Sequence, residues 1–463
     1  MVGVSRVVSV GRSPHGRIAC LSVILLTWSW VLGCAPKVDH YDQVNQYIYD
    51  QNYDAALLLM DESKAGYRER DAALFYMEEG LLYHFAGRFE ESNQYLFQAE
   101  TILAELYTRS ISNQTASFLL NDNTIPYRGE DFEDALVNLF LAINFAGLGL
   151  TEDALVEARK LDNELNIVNS HYADDQKNIY KEDAFIRFLM GILYESGDEI
   201  NDAFISYRKA EEIYRNDYLP NYGVRAPRFL VENLLSSARA LGFYQEIAEI
   251  QQLYPEITYP QPDEKRNSVE IIVIHYNGLG PEKVERSWIV PMPDGYIVKV
   301  AYPVFERKNY LISHAVVQLE QMDTGKTFRF STELMEDIGA IAVLNLDNRM
   351  ARIKTKAIAR ATTKYRATKT ASKVADDQAG GLAGLMVQIA GNIAAAVTER
   401  ADVRYWRMLP DEVRVGRALV PAGRYKGEIG FVGAGGNVLF TRQIEPFTVV
   451  SGEKKFFIQR SMR

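Results

Sequence analysis

Between residues 38 and 258, apolar side chains recur every three to four positions, small residues mark the tight turns, and β-type alternation is scarce. The pattern predicts antiparallel helical hairpins. The clearest unit is 76–99: Gly80 and Tyr83 fall on one helix, Gly87 and Phe89 on the turn, and Ser92, Leu96 and Ala99 on the next helix. Residues 187–210 repeat the spacing with Gly191, Tyr194, Gly197 and Ile200, then Ala203, Tyr207 and Ala210. Looser copies lie at 44–60 (Tyr47, Tyr53, Ala56), 138–161 (Ala142, Phe145, Gly149, Ala154, Ala158) and 235–251 (Gly242, Tyr244), the last closed by Pro255. Small residues let paired helices approach and aromatics fill the space between neighbouring hairpins, so the tyrosines are expected in inter-repeat core.

These units resemble the tetratricopeptide repeat. Gly80 and Gly191 are 111 positions apart, not a multiple of the repeat's period of about 34, so insertions must break the register. The largest, 109–131, holds Asn121-Asp122-Asn123 and Tyr127-Arg128-Gly129-Glu130. It is expected either as a surface excursion or as part of a contact site.

From residue 268 the period changes. Val269-Glu270-Ile271-Ile272-Val273-Ile274 opens a series of β-branched runs at 296–302, 315–320, 327–331, 413–420, 424–431, 438–444, 447–450 and 455–459. Asn277-Gly278, Asp294-Gly295, Asp323-Thr324-Gly325 and Ser451-Gly452 punctuate them. Many short strands with hairpin turns favour a β-sandwich. Gly433-Ala434-Gly435-Gly436 has no helix pattern after it and reads as a hairpin turn, not a nucleotide loop.

Residues 332–402 interrupt the β pattern with helix. Nine basic residues and no acid lie between Asn348 and Ala375, with Arg349, Arg352, Lys356, Arg360 and Lys364 on one helical face. Twenty uncharged residues, 379–398, follow, with glycines at 380, 381, 384 and 391. Three readings stand: a hairpin packed on the sheets with its basic face solvated, contact with anionic lipid, or oligomerisation through small residues. The expected class is α + β multidomain: a tetratricopeptide-like α-solenoid (34–258), a proline-rich linker (259–267), and a β-sandwich-like domain (268–463) carrying a helical insertion at about 332–402.

Composition narrows the class. A 463-residue chain with 47% hydrophobic and 24% charged residues is neither wholly disordered, nor collagen-like, nor a polytopic membrane protein. Its two cysteines exclude a disulfide framework and a structural zinc cluster. The first 38 residues hold no acid; Arg6, Arg12 and Arg17 precede a fifteen-residue apolar run at 18–32, short of the ~20 residues a spanning helix needs.

That run ends Val31-Leu32-Gly33-Cys34, which resembles the lipobox of bacterial lipoproteins. The resemblance implies a signal peptide at 1–33 and an acylated Cys34, whose several chains give stable anchoring. Ala35, in place of an Asp retention signal, implies the outer membrane, facing the periplasm. An ordinary secretory leader or membrane anchor is the alternative. Cys20 would leave with the leader.

Charge is split. The whole chain carries −10, but residues 34–267 hold 20 Lys/Arg against 41 Asp/Glu, and residues 268–463 hold 28 against 20. Nucleic acid is excluded for the acidic half. For the basic half, anionic lipid, anionic glycan, an acidic partner, or the acidic half itself would be suitable.

Catalytic signatures are missing. His15, His40, His84, His171, His275 and His314 are scattered, and no zincin pattern, nucleophile elbow or P-loop occurs. The adjacent pairs Glu78-Glu79 and Asp376-Asp377 point to different sides of a helix and are expected as solvated charge. The expectation is a non-enzyme without metal or cofactor.

Two segments, Tyr127-Arg128-Gly129-Glu130-Asp131-Phe132-Glu133 and 401–410 with Pro421-Ala422-Gly423-Arg424-Tyr425 beyond it, are similar to an uncharacterised family of proteobacterial lipoproteins with a tetratricopeptide-like N-terminal half and a β-rich C-terminal half. The resemblance implies a role in envelope assembly. The expected function is a periplasmic protein-binding scaffold working through its helical repeats. Glycan binding through Trp406 is the second reading, and a cell-wall enzyme the third. Oligomeric state is left open.

Overall fold

The computed structural model describes residues 40–112, 122–170, 179–294 and 296–462. The leader and Cys34 lie outside the described residues.

Helices α1 (Tyr41–Tyr49), α2 (Tyr53–Ser63), α3 (Ala72–Phe85), α4 (Phe89–Ser112), α5 (Asp131–Gly147), α6 (Thr151–Ser170), α7 (Ala184–Ser196), α8 (Ile200–Ile213), α9 (Arg228–Leu241), α10 (Tyr244–Leu253) and the short α11 (Pro262–Asn267) fill the N-terminal part. Consecutive helices pair as the spacing predicts. A Cβ added to Gly80 would stand 2.7 Å from the Leu96 side chain, and one on Gly191 would stand 2.3 Å from Tyr207. Each glycine is therefore a close-contact point between paired helices. Ala99, Ala203, Tyr207 and Ala210 are fully buried. Tyr83 stacks on Tyr95 at 5.1 Å, and the Tyr194 hydroxyl accepts from Arg159. Starts are fixed by side chains: Asn52 caps α2, Asp183 caps α7, and a Glu130–Glu133 capping box opens α5. Gly242, at φ 74°, ends α9 in the left-handed conformation.

The C-terminal part holds β1 (Val269–Asn277), β2 (Glu282–Pro291), β3 (Ile297–Glu306), β4 (Ile312–Gln321), β5 (Thr327–Ser331), β6 (Glu333–Asp337), β7 (Glu412–Val420), β8 (Gly423–Gly433), β9 (Val438–Val449) and β10 (Lys454–Ser461). One sheet runs β10-β1-β7-β6, a second runs β5-β4-β8-β9, and β2-β3 form a separate ribbon. In the first sheet β1 is parallel to β10 and antiparallel to β7.

All nine residues of β1 are buried. Val269, Ile271 and Val273 share a core with Ile312, Val317, Ile429 and Phe431 of the second sheet. Ile272, Ile274 and Tyr276, on the opposite face, share one with Leu81, Phe140 and Tyr214 of the helices. A strand covered on both faces reads as a continuous apolar run, as this one does. The two halves thus have a common core.

Two strands escape the sequence pattern. β2 is mostly exposed and shows no apolar face, and the five-residue β6 falls where helix is expected. The runs 438–444 and 447–450 form one strand, β9. Between β6 and β7 rise α12 (Ile338–Ala379), 42 residues and so about 63 Å long, and α13 (Gly381–Thr398), which folds back on it. Gly384 and Gly391 face Asp376 and Thr368 of α12, so these small residues serve the hairpin itself.

Candidate functional site

The seam between helices and sheets is polar at its centre. Tyr276 of β1 donates to Nε2 of the buried His84 at 2.9 Å, and His84 Nδ1 donates to Asn144. Asn144 donates in turn to Ser92 (2.8 Å), and Ser92 to the Gly80 carbonyl (2.7 Å). Burial pulls the His84 imidazole down to about 4, so it is neutral in this chain of hydrogen bonds.

Glu78, expected in solvent beside Glu79, is completely buried, and Glu79 is 1% exposed. The correction has a physical reason. Glu78 is roofed by segment 401–411, whose Arg407 and Met408 amides donate to its carboxyl at 2.8 and 3.2 Å, whereas Glu79 lies near Asp61 and Lys64 of the preceding helix and turn. Burial pushes Glu78 up to about 8. Nearby, Glu133 accepts from the Trp406 amide at 2.8 Å and from the Tyr127 hydroxyl, and burial, reinforced by the Glu130 charge, raises it to about 7.

On the other side of the molecule, charge alternates through a buried line. Glu232 of α9 meets Arg417 at 3.0 Å, Arg417 meets Glu270 of β1, Glu270 meets Lys454 of β10, Lys454 meets Glu195 of α7 at 2.9 Å, and Glu195 meets Lys265 of α11. Three cations from the basic part and the connecting helix answer three carboxylates. Docking of one half on the other therefore absorbs part of the charge split seen in the sequence.

The cavity with the strongest charge lies where the described end of the 109–131 insertion meets β2-β3, α12 and segment 401–404. It encloses about 250 Å³. Four cations form its floor. Lys283 and Arg349 both bind Glu130; Arg404 binds Asp402 at 2.6 Å and Asp71 at 2.8 Å; Arg360 binds Glu399 at 3.1 Å. Burial opposes ionisation of Glu130, but Lys283 and Arg349 outweigh it and hold its carboxyl well below the usual carboxylate range. At the mouth stand Arg128 and Arg352, both exposed, and the half-buried Lys356.

The five basic residues picked from the sequence thus separate. Arg349 and Arg360 are drawn into the floor, Lys364 joins Glu399 at 2.7 Å, and only Arg352 and Lys356 stand at the mouth. A uniform solvated or lipid-facing row does not form. Lys283 went unnoticed in the sequence because β2 has no legible pattern. Trp406 is 1% exposed and packs on Phe140, so it cannot stack on a glycan.

One surface is apolar. Leu382, Leu385, Met386, Ile389 and Ile393 of α13 are 51–80% exposed and form a single stripe at helical spacing. Among the described residues, no helix is long and apolar enough to cross a membrane, and no group of three or more His, Cys, Asp or Glu could hold a metal ion.

No family model matches the chain, and no curated protein matches it. Solved structures similar in fold include BtubC (BKLC) from P. vanneervenii, at 18% identity and TM-score 0.33, covering 47% of this chain and 80% of that one. Another is the apo form of RapI, at 14% identity and TM-score 0.33; the match covers 46% of this chain and spans about half of RapI, 51%. A third is a Podosopora anserina putative kinesin light chain with nearly identical TPR-like repeats, at 13% identity and TM-score 0.32, covering 47% and 92%.

Proposed function

We propose that the chain is a lipid-anchored, non-enzymatic scaffold of the bacterial outer membrane that holds an envelope protein through its projecting hairpin. The carrying observation is the exposed apolar stripe of α13. Five large side chains along about three helical turns are more than a solvated helix needs, and such patches mark interaction sites. The inner face of the helical repeats is filled by the chain's own β1, which leaves outward surfaces for a partner. Arg366, Lys369 and Lys373, exposed on the same hairpin, favour a partner with acidic residues around an apolar groove. Cys34 supports the anchor.

Photo-crosslinking residues placed at Leu382, Met386 and Ile389 of the full chain, in its native envelope, test the reading. The expected result is one protein adduct shared by all three sites, absent from the exposed Tyr244 and weakened by Arg366→Glu with Lys373→Glu. Adducts to phospholipid alone, or none, would overturn it. Cys34→Ala should move the protein from the membrane fraction to the soluble periplasm.

A further inference from the structure

Where the turn between α1 and α2 meets β9 and β10, a cavity of about 270 Å³ is lined by two arginines, Arg442 and Arg460. The projecting hairpin of the proposed scaffold takes no part in it. Among the described residues, neither arginine meets a carboxylate within ion-pair distance. Arg442 donates to the Arg460 carbonyl at 2.6 Å, and Gln51, with its amide oxygen turned toward β9, accepts from all three Arg442 nitrogens. Arg460, 3% exposed, gives its Nη1 to the carbonyls of Tyr276, Gly278 and Ser461, while its Nε and Nη2 have no hydrogen-bond partner. Asp50, the carboxylate of the lining, is exposed and accepts from Gln46 at 2.9 Å.

Two like charges are thus drawn out of water side by side with no counter-ion, which is costly until something of opposite sign arrives. Burial lowers both guanidinium groups, Arg460 to about 9 with the Arg442 charge adding to the effect, so both are still cations at neutral pH. The faces of Phe85, 5.0 Å from Arg460, and Phe431, 5.0 Å from Arg442, answer part of the charge, but less than an anion would. Gln51 shows what the fork of Arg442 fits. It stands at φ 59°, in the left-handed region that a non-glycine residue rarely adopts, and it presents a planar but neutral amide. A carboxylate is the planar counterpart that carries the missing charge, and it matches a guanidinium in paired hydrogen bonds. The volume, just under the ~300–1,000 Å³ of drug-sized sites, exceeds what a bare carboxylate fills. Ile48, Phe440 and Met462 give the remainder an apolar wall.

We infer that this cavity binds a carboxylate joined to an apolar group, the C-terminus of a peptide or a small organic acid, with its oxygens held by Arg442 and the Gln51 amide displaced from the fork. Arg460 stands behind as the second positive charge.

The test uses the full chain carrying Cys34→Ala, titrated in a calorimeter with the peptide N-acetyl-Ala-Ala-Leu, its C-terminal amide, N-acetyl-leucine and inorganic phosphate. Arg442→Gln should weaken binding of the free-acid peptide at least tenfold. Gln43→Glu, a charge control on α1 outside the lining, should change it less than twofold. Far-ultraviolet circular dichroism and melting confirm folding. Should Arg442→Gln melt early, Gln51→Glu is the second variant. It supplies the carboxylate from within the chain, so it should weaken the peptide at least tenfold while raising the melting temperature by about 2 °C.

A peptide that binds tighter than N-acetyl-leucine assigns a chain terminus, and N-acetyl-leucine that binds as well or better assigns a small acid. Either result supports the site. Failure of both acids to bind, an amide that binds as tightly as the acid, phosphate that binds tighter than either acid, or an affinity unmoved by both lining variants would overturn it.

Discussion

Along the seam, charged and polar side chains are buried, and several are met by partners from the other half. Along α13, large apolar side chains lie open to solvent. Glu78 receives two backbone amides from segment 401–411, and Glu270 sits between Arg417 and Lys454, whereas Leu382 and Met386 are 80% and 71% exposed. The usual arrangement of polar outside and apolar inside is inverted in both places. Buried charge is retained where geometry answers it, and exposed apolar surface where something else is to cover it. The seam belongs to stability, and under the proposed function the hairpin belongs to recognition.

The largest effect expected is from Glu78→Ala. It strips the acceptor from two buried amides, at ~1–3 kcal/mol each, and opens a void besides. Denaturant unfolding should show a loss of about 3 kcal/mol or more, with both halves melting together. Two separate transitions would break the picture of a common core. Gly191→Ala should cost about 1–3 kcal/mol, because the added methyl meets the buried Tyr207 ring. Little or no loss would mean that the helix pair can open without consequence.

The seam should also sense pH from both sides. Burial raises Glu78 to about 8 and Glu133 to about 7, so their stabilising protons are fully held below the ordinary carboxylate range. That stability is lost progressively as pH rises above about 4.5, until it is gone beyond 7 to 8. His84 acts the other way. Its pKa falls to about 4, so its contribution is present above the unfolded value and is lost as pH drops from about 6.5 toward 4. Two carboxyls outweigh one imidazole where their ranges overlap, so melting temperature should fall as pH rises from about 5 to 8, and Glu78→Gln should flatten that alkaline limb. An unchanged alkaline limb would show that Glu78 does not titrate there. Smallest of all, Leu385→Gln with Met386→Gln on α13 should alter stability by less than about 0.5 kcal/mol while abolishing the protein adduct described above.

How much of this is legible in the sequence depends on the range of the interactions. The hairpins at 76–99 and 187–210 follow from local spacing, and Gly80, Gly191, Ala203 and Tyr207 stand at the contacts that spacing suggests. Strand β1 follows from its apolar run. The polar contacts across the seam do not follow. Nothing near Glu78 in sequence shows that Arg407, 329 positions away, will donate to it, and the helix rule that solvates an exposed Glu pair says nothing about a roof brought from elsewhere. Arg349 and Arg360 have the same spacing as Arg352 and differ only in what packs opposite them. The cavity joins Tyr127-Arg128-Gly129-Glu130 to segment 401–404, two stretches the sequence singles out without assigning them chemistry.

Strand β10 lies at the edge of the first sheet, parallel to β1, and its Arg460 guanidinium stacks 5.0 Å from the ring of Phe85 in α3. Strand β10 therefore rests against a helical hairpin that precedes it by more than 350 positions. During synthesis, that hairpin leaves its inner aromatic face uncovered until β10 has emerged. Contacts so distant in sequence make folding slow and the waiting intermediate prone to aggregate. Such a chain depends for its yield on being shielded until then, and removing β10 would leave the helices half-assembled.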